Sequence, residues 1–175
     1  KAACNPILKK INSRLKEEKP ALVEDDKVIA SAWLPPIPGP VFKRLIFAEI
    51  QIALGRYIPE TVSIELTHQS SSRYLPGTVA DELDTGTVKR IIDEALEIGT
   101  FIITFTENDP LLREEVFELI RYVDKKRAIV NCSTWGTDFS AETASSLKEA
   151  GLHSLMVGIY STDPEKHDAV RKSGG

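Results

Sequence analysis

From Thr61 onward, short apolar runs alternate with stretches whose apolar residues recur at helical spacing, and few folds accommodate that alternation. Val62 to Leu66 reads as a strand. Val88, Ile91, Ile92, Ala95 and Leu96 then mark one helical face, closed by Gly99. Phe101 to Phe105 is a second strand, followed by a helical stripe of Val116, Leu119, Ile120 and Val123. Ala128 to Cys132 is a third. Ala144, Leu147 and Ala150 mark its helix, with Ser140 as N-cap and Gly151 as stop. Ser154 to Ile159 is a fourth, and Asp163-Pro164 opens a fourth helix. Apolar strands separated by amphipathic helices predict a parallel sheet buried on both faces. The later strands begin at Phe101, Ala128 and Ser154, about 26 residues apart, the pitch of one βα unit.

Such units build either a doubly wound open sheet or part of a barrel, and both place chemistry at the carboxyl ends of the strands. Four loops occupy those ends: Thr67 to Leu83, Thr106 to Asp109, Ser133 to Thr137 and Tyr160 to Asp163. The expected fold is α/β: a partial (β/α) TIM-like barrel of about four βα units over residues 61–175. Residues 1–60 are expected to form a helical N-terminal extension. Within it, Asn5 to Lys16 suits a short helix, and Leu34 to Pro40 is an extended proline-rich connector. Phe42, Leu45, Ile46, Glu49, Ile50, Ala53 and Leu54 predict a further helix stopping at Gly55. Lys43, Arg44 and Arg56 flank that helix; packing against the barrel is preferred to a membrane-surface role. A parallel sheet of this size has an open edge, so a protein partner, a homodimer contact or a missing carboxyl-terminal half is expected to cover it.

Charge and cysteine content exclude several classes. The net charge of −4 and the lack of a basic block argue against a nucleic-acid partner. No apolar run is long enough for a bilayer, so no membrane partner is expected. Lys1 to Lys10 lacks the apolar stretch of a signal peptide, and the chain starts at Lys1 without Met, which suggests an upstream segment. Cys4 and Cys132 are too few and too far apart for a disulfide framework, and a reducing cytoplasm is the expected location.

The loops carry most of the functional signal. The first strand runs Val62-Ser63-Ile64-Glu65-Leu66-Thr67 into His68-Gln69-Ser70-Ser71-Ser72-Arg73-Tyr74. The second ends Thr106-Glu107-Asn108-Asp109-Pro110-Leu111-Leu112-Arg113. The third ends Ser133-Thr134-Trp135-Gly136-Thr137, and the fourth Val157-Gly158-Ile159-Tyr160, before Asp163-Pro164-Glu165-Lys166-His167-Asp168-Ala169-Val170-Arg171. In this order the series resembles the radical SAM superfamily over Ile58 to Gly175, nearest its cofactor- and peptide-maturing branch.

That resemblance implies a four-iron cluster, bound by three cysteines spaced C-x3-C-x2-C, and S-adenosylmethionine as co-substrate. The cysteine positions fall here on Ser70, Tyr74 and Gly77, none of which supplies a thiolate. Where such proteins carry Gly-Gly-Glu-Pro, Glu107 and Asn108 replace the glycines and Asp109 keeps a carboxylate before Pro110. Side chains at the two glycine positions are expected to crowd a ligand that needs bare backbone. Thr134 and Gly136 keep the pattern of the third turn, where Trp135 replaces an asparagine; packing is the first reading of that indole and stacking on an adenine the second. The fourth turn has lost a serine and an aspartate to Gly158 and Tyr160. The resemblance thus makes Ser70, Tyr74, Asp109, Thr134 and Gly136 the candidate cofactor-binding positions. For Asp109, capping a helix start is the simpler role and ligand binding the alternative.

Other chemistries draw less support. His68 beside Ser70, Ser71 and Ser72, with Asp81 or Asp109 as orienter, lacks a nucleophile elbow. A metal site from His68, Glu107 and Asp109 has no favourable spacing, and no glycine-rich phosphate loop follows any strand. Cys132 reads as a small buried hydrophobe, and Glu82, Asp84, Asp93 and Glu94 as a helix cap and a solvated face. His153 falls at the opposite end of the sheet. The expected function is a degenerate domain of this superfamily that holds no cluster by itself and either binds a nucleoside such as S-adenosylmethionine or scaffolds a partner. The alternative is a component or fragment of an active enzyme of the superfamily, cleaving S-adenosylmethionine for cofactor or peptide modification with cysteines from a partner chain or absent segments. A third reading is an incomplete or engineered chain that reports only its parent's fold.

Overall fold

The computed structural model describes residues 13, 16, 19–24, 26–69, 81–137 and 139–171. Cys4, Ser70, Tyr74, Gly77 and most of the helix expected over Asn5 to Lys16 lie outside the described residues.

The first described elements are two short antiparallel strands, β1 (Leu22–Glu24) and β2 (Lys27–Ile29), which the sequence did not announce. The proline-rich connector follows; its Ile37 exchanges backbone hydrogen bonds with Val28. Pro40 then opens helix α1 (Pro40–Ala53). Proline suits that first turn, where its missing N–H has no helical acceptor to lose.

The repeating part follows as β3 (Thr61–Glu65), α2 (Thr85–Ile98), β4 (Ile102–Thr106), α3 (Val116–Tyr122), β5 (Ile129–Thr134), α4 (Ala141–Glu149), β6 (Ser154–Val157) and α5 (Pro164–Arg171). The four strands form one parallel sheet in the order β3-β4-β5-β6. Asp84 and Ser140 cap α2 and α4 by accepting the amide protons of Thr87 and Thr143. Gly99 ends α2 at φ +112°, a left-handed backbone that costs glycine no steric penalty.

Alternate strand residues face opposite sides of the sheet. Val62, Ile64, Ile103, Phe105, Val130, Cys132 and Leu155 face the helices and pack with Val88 and Ile92 of α2, Leu119 and Ile120 of α3 and Leu147 of α4. On the other face, near the amino ends of the strands, Val41, Leu45 and Ala48 of α1 pack on Phe101, Ile102 and Ile129. Arg44 fastens α1 by donating to the carbonyls of Leu96 and Thr100 at the end of α2; burial lowers its pKa. Thus α1 packs on the barrel, as its sequence suggested.

The expectation of a sheet buried on both faces holds for β4 and β5 only. Residues 102–105 and 129–132 are buried throughout, whereas β3 and β6 alternate or stay half-exposed. These are the edge strands, and past the reach of α1 the second face turns polar. A row of Glu65, Thr106, Ser133 and Met156 crosses it at the carboxyl ends.

Candidate functional site

The carboxyl ends of the strands are laced into one surface by bonds between successive turns. The first turn is shaped by Glu82, whose Oε1 accepts from Thr67 Oγ1 at 2.6 Å and from the His68 amide at 2.8 Å. Those two donors hold the Glu82 carboxyl below the usual carboxylate range. Arg113, buried, donates from Nη1 to the carbonyls of Leu66 (2.7 Å) and Leu83 (2.8 Å) and from Nη2 to Thr85 Oγ1 (3.1 Å). The two ends of the Thr67 to Leu83 loop are therefore held by one guanidinium and one carboxylate.

The second turn reaches back to the first. Asn108 Nδ2 donates to Glu65 Oε1 at 2.5 Å and to the Thr67 carbonyl at 3.2 Å, and the Asp109 amide donates to the Gln69 carbonyl at 3.2 Å. Glu107 and Asn108 both have positive φ, 60° and 41°. The backbone thus keeps a left-handed shape of the kind glycine favours, although neither residue is glycine. The Asn108 amide is drawn toward β3, while Glu107 is exposed at the rim.

Asp109 joins the second turn to the third. Its Oδ1 accepts from Thr134 Oγ1 at 2.9 Å and from the Leu111 amide at 3.3 Å, and its Oδ2 from the Trp135 amide at 3.3 Å. At 1% exposure this carboxylate caps the 3-10 turn Pro110–Leu112 and ties β4 to β5. Thr134 Oγ1 also accepts the amide of Gly136, which sits at φ +76°. The third turn joins the fourth through the Gly158 amide, which donates to the Thr134 carbonyl at 2.9 Å. Trp135 and Tyr160 stack with centroids 5.4 Å apart and planes within 9°. His167 of α5 lies against Tyr160 and accepts its amide proton on Nδ1 at 3.3 Å.

Between these turns lies a cleft of about 340 Å³ lined by Thr106, Glu107, Asn108, Ser133, Thr134, Trp135, Met156, Val157 and Gly158. Thr106 and Ser133 share a hydroxyl–hydroxyl bond of 3.2 Å on its floor. Of the five candidate positions, the structure brings Thr134 and Asp109 into direct contact and sets Gly136 in the same turn; Ser70 and Tyr74 lie outside the described residues. His68, Glu107 and Asp109 do not gather into a metal site, and no group able to hold one occurs among the described residues. His153 lies away from the cleft, its ring within 3.5 Å of the Ser31 carbonyl, with its pKa lowered by burial. Sequence reasoning missed Thr106 and Met156 as lining, the pinning by Glu82 and the buried clamp of Arg113. The partners of Arg113 lie up to 47 residues away in sequence, so no local pattern marks it.

Cysteine occurs in this sequence at Cys4 and Cys132. Ser70, Tyr74 and Gly77 offer no thiolate at the positions that the motif reserves for cysteine. Cys132 is buried in β5, where desolvation, and then the Asp109 carboxylate, push its thiol up to about 12.

The family model described as the Radical SAM superfamily matches residues 69–175. The AdoMet-dependent heme synthase of Methanosarcina barkeri is 36% identical over 96 residues, 55% of this chain and 28% of that protein. The PqqA peptide cyclase of Xanthomonas oryzae pv. oryzae is 25% identical over 119 residues, 64% of this chain and 32% of that protein. The chain therefore spans about a third or less of the length of these curated relatives. Among solved structures, BtrN in complex with AdoMet and 2-DOIA superposes with a TM-score of 0.51 at 18% identity, covering 61% of this chain and 48% of that one. BtrN in an open conformation gives 0.52 at 18% identity, over 63% and 55%. At that identity the likeness speaks for the fold alone, that of a partial β/α barrel.

Proposed function

The chain belongs to the radical SAM superfamily, and on that footing we propose that it is a degenerate member, which binds an adenosyl ligand of the S-adenosylmethionine type without assembling a four-iron cluster of its own. The observation that carries this reading is the donor set: serine, tyrosine and glycine stand at positions 70, 74 and 77. A cluster of this kind is held by thiolates. When bound in the family, the cluster supplies the electron that cleaves S-adenosylmethionine; with this donor set no such step is assigned to the chain.

What supports retained ligand binding is the preserved frame around the cleft. The left-handed backbone at Glu107 and Asn108, the hydrogen-bonded Asp109–Thr134 pair and the indole wall all stand at the carboxyl ends of the strands. Ligands of parallel β/α folds bind at that end. No helix among the described residues is long and apolar enough to cross a membrane, and the scarcity of cysteine supports a cytoplasmic setting. Among the described residues β6 is the last strand of the sheet, and a protein partner or a second copy along it belongs to this reading as a proposal.

The test is a calorimetric titration with S-adenosylmethionine, run beside an iron assay after anaerobic reconstitution. Heat of binding with no retained iron is the expected result. Stoichiometric iron overturns the reading in favour of a second one, a working component of a radical SAM enzyme with cluster ligands from elsewhere. The 36% identity to the heme synthases favours that alternative. Neither heat nor iron leaves only a scaffold.

A further inference from the structure

Helix α1 is apolar on two sides. Its inner stripe, Val41, Leu45 and Ala48, packs on the sheet. A second stripe, Phe42, Ile46, Phe47 and Ile50, recurs at helical spacing on another side and continues into Leu54. With Ile37 and Pro38 of the connector it lines an open groove of about 530 Å³, at which the one charged residue among those described is Lys43. Phe47 is 60% exposed, Leu54 69% and Tyr57 96%, and every residue from Ile52 to Tyr57 is exposed. A helix that is apolar all round is normally covered on every side, and a contiguous exposed apolar stretch marks a place of contact.

The charges around the stripe say what it meets. Residues 40–58 hold three cations, Lys43, Arg44 and Arg56, and one acid, Glu49. The fold sorts them. Glu49 is buried, and Arg44 donates to the carbonyls of Leu96 and Thr100. The outer stripe is therefore flanked by Lys43 at the groove and by Arg56 just past the end of the helix, both exposed. The same sorting holds along the chain. Residues 1–60 contain ten lysines and arginines against seven aspartates and glutamates, whereas residues 61–175 contain twelve against nineteen. Opposite signs in two parts of one chain point to a negatively charged surface as the partner of the basic part. Cations beside an apolar, aromatic-bearing stripe are the make-up of a helix that lies at the boundary of an anionic bilayer, with its apolar side chains among acyl chains and its cations among headgroups. The acidic part is repelled by such a surface and turns away from it.

We propose that α1 docks this chain on an anionic lipid bilayer, lying in the interface rather than crossing it, with Phe47 and Leu54 entering the acyl boundary and Lys43 and Arg56 pairing with headgroup phosphates. The sequence expectation of no membrane partner rested on the lack of a spanning run, and lying on a surface needs none. Packing on the barrel and docking on lipid are compatible, because they use different sides of the helix. Since α1 covers the amino ends of the strands and the cleft occupies the carboxyl ends, the docked chain keeps its cleft open to solution. The inference goes beyond the adenosyl-ligand reading and does not depend on it.

The test is co-sedimentation of the full chain with extruded vesicles of phosphatidylcholine, alone or mixed with phosphatidylglycerol. Binding to the anionic vesicles should be about tenfold tighter or more, and the gap should close as salt rises. Phe47→Gln should weaken that binding about tenfold and leave the urea midpoint unchanged, because the ring is exposed in the free chain. Ile159→Gln, at an exposed apolar residue beyond the carboxyl end of β6, should change neither. Lys43→Gln combined with Arg56→Gln should bring the two kinds of vesicle level. Absence of sedimentation with either kind overturns the proposal, as does binding that Phe47→Gln leaves intact. Equal binding of the unaltered chain to neutral and anionic vesicles overturns the pairing with headgroups. A concentration-dependent dimer seen by sedimentation velocity without lipid, and abolished by Phe47→Gln, assigns the face to a second copy instead. None of these outcomes bears on the calorimetric test of the adenosyl ligand.

Discussion

A methyl group added at Gly158 would lie 2.5 Å from Cε3 and 2.6 Å from Cζ3 of Trp135, far inside the contact distance of two carbon atoms. The loss of a side chain at 158 and the gain of an indole at 135 are therefore one packing arrangement. Gly158→Ala should cost about 1–3 kcal/mol, the usual cost of overpacking, and should weaken the near-ultraviolet circular dichroism of the stacked Trp135–Tyr160 pair. Introduced into Trp135→Asn, the same change should cost almost nothing, because its clash partner is gone. Equal costs in the two backgrounds, read from urea unfolding, would show that the two residues do not pack together. The sequence shows each residue as a separate departure from a pattern. Their contact needs the parallel register that sets Thr134 against Val157, and no spacing rule reveals it. Asp109 divides in the same way: Asp-Pro announces a cap, which the Leu111 amide bears out, but the bonds to Thr134 and Trp135 come from the neighbouring strand.

Between elements, the ends of the Thr67 to Leu83 loop are held by Arg113 from beyond β4 and by Glu82 from the approach to α2. The depressed pKa of Glu82 fixes the sign of a pH effect. A carboxyl whose folded pKa lies below its unfolded value adds stability above the unfolded value, about 4.3 for glutamate. That contribution disappears as pH falls through the lower, folded value. The melting temperature of the protein should therefore exceed that of Glu82→Gln near neutral pH, and the gap should close in strongly acidic solution. Because Glu82 is exposed, the gap should be small. Melts recorded from about pH 7 to about pH 3 test this; a gap that is constant or widens toward acid would deny Glu82 this role. At this scale the sequence was most readable. Helix faces, the caps at Ser140 and Asp84 and the stop at Gly99 follow from local chemistry, and β3 and β4 begin within one residue of expectation. The hairpin of β1 and β2 escaped because strands of three residues are too short to show a period.

Across the whole molecule, stability and chemistry lie at opposite ends of one sheet. Helix α1 seals the second face near the amino ends through Val41, Leu45 and Ala48, whereas the cleft occupies the carboxyl ends of β4, β5 and β6. The two regions share no lining residue, so a cavity cut in one should leave the other's geometry intact. Leu45 is 9% exposed and sits in the cluster with Phe101, Ile102 and Ile129. Leu45→Ala removes buried methyl groups and leaves a void that the surrounding side chains fill only in part, which should cost about 2–4 kcal/mol. The urea midpoint should fall accordingly with an unchanged slope, since the surface exposed on unfolding stays nearly the same. The near-ultraviolet signal of the Trp135–Tyr160 stack should not change, and neither should the S-adenosylmethionine binding proposed above. A loss of that signal under native conditions would mean that α1 helps to shape the cleft, and the division between a stability end and a ligand end would have to be given up.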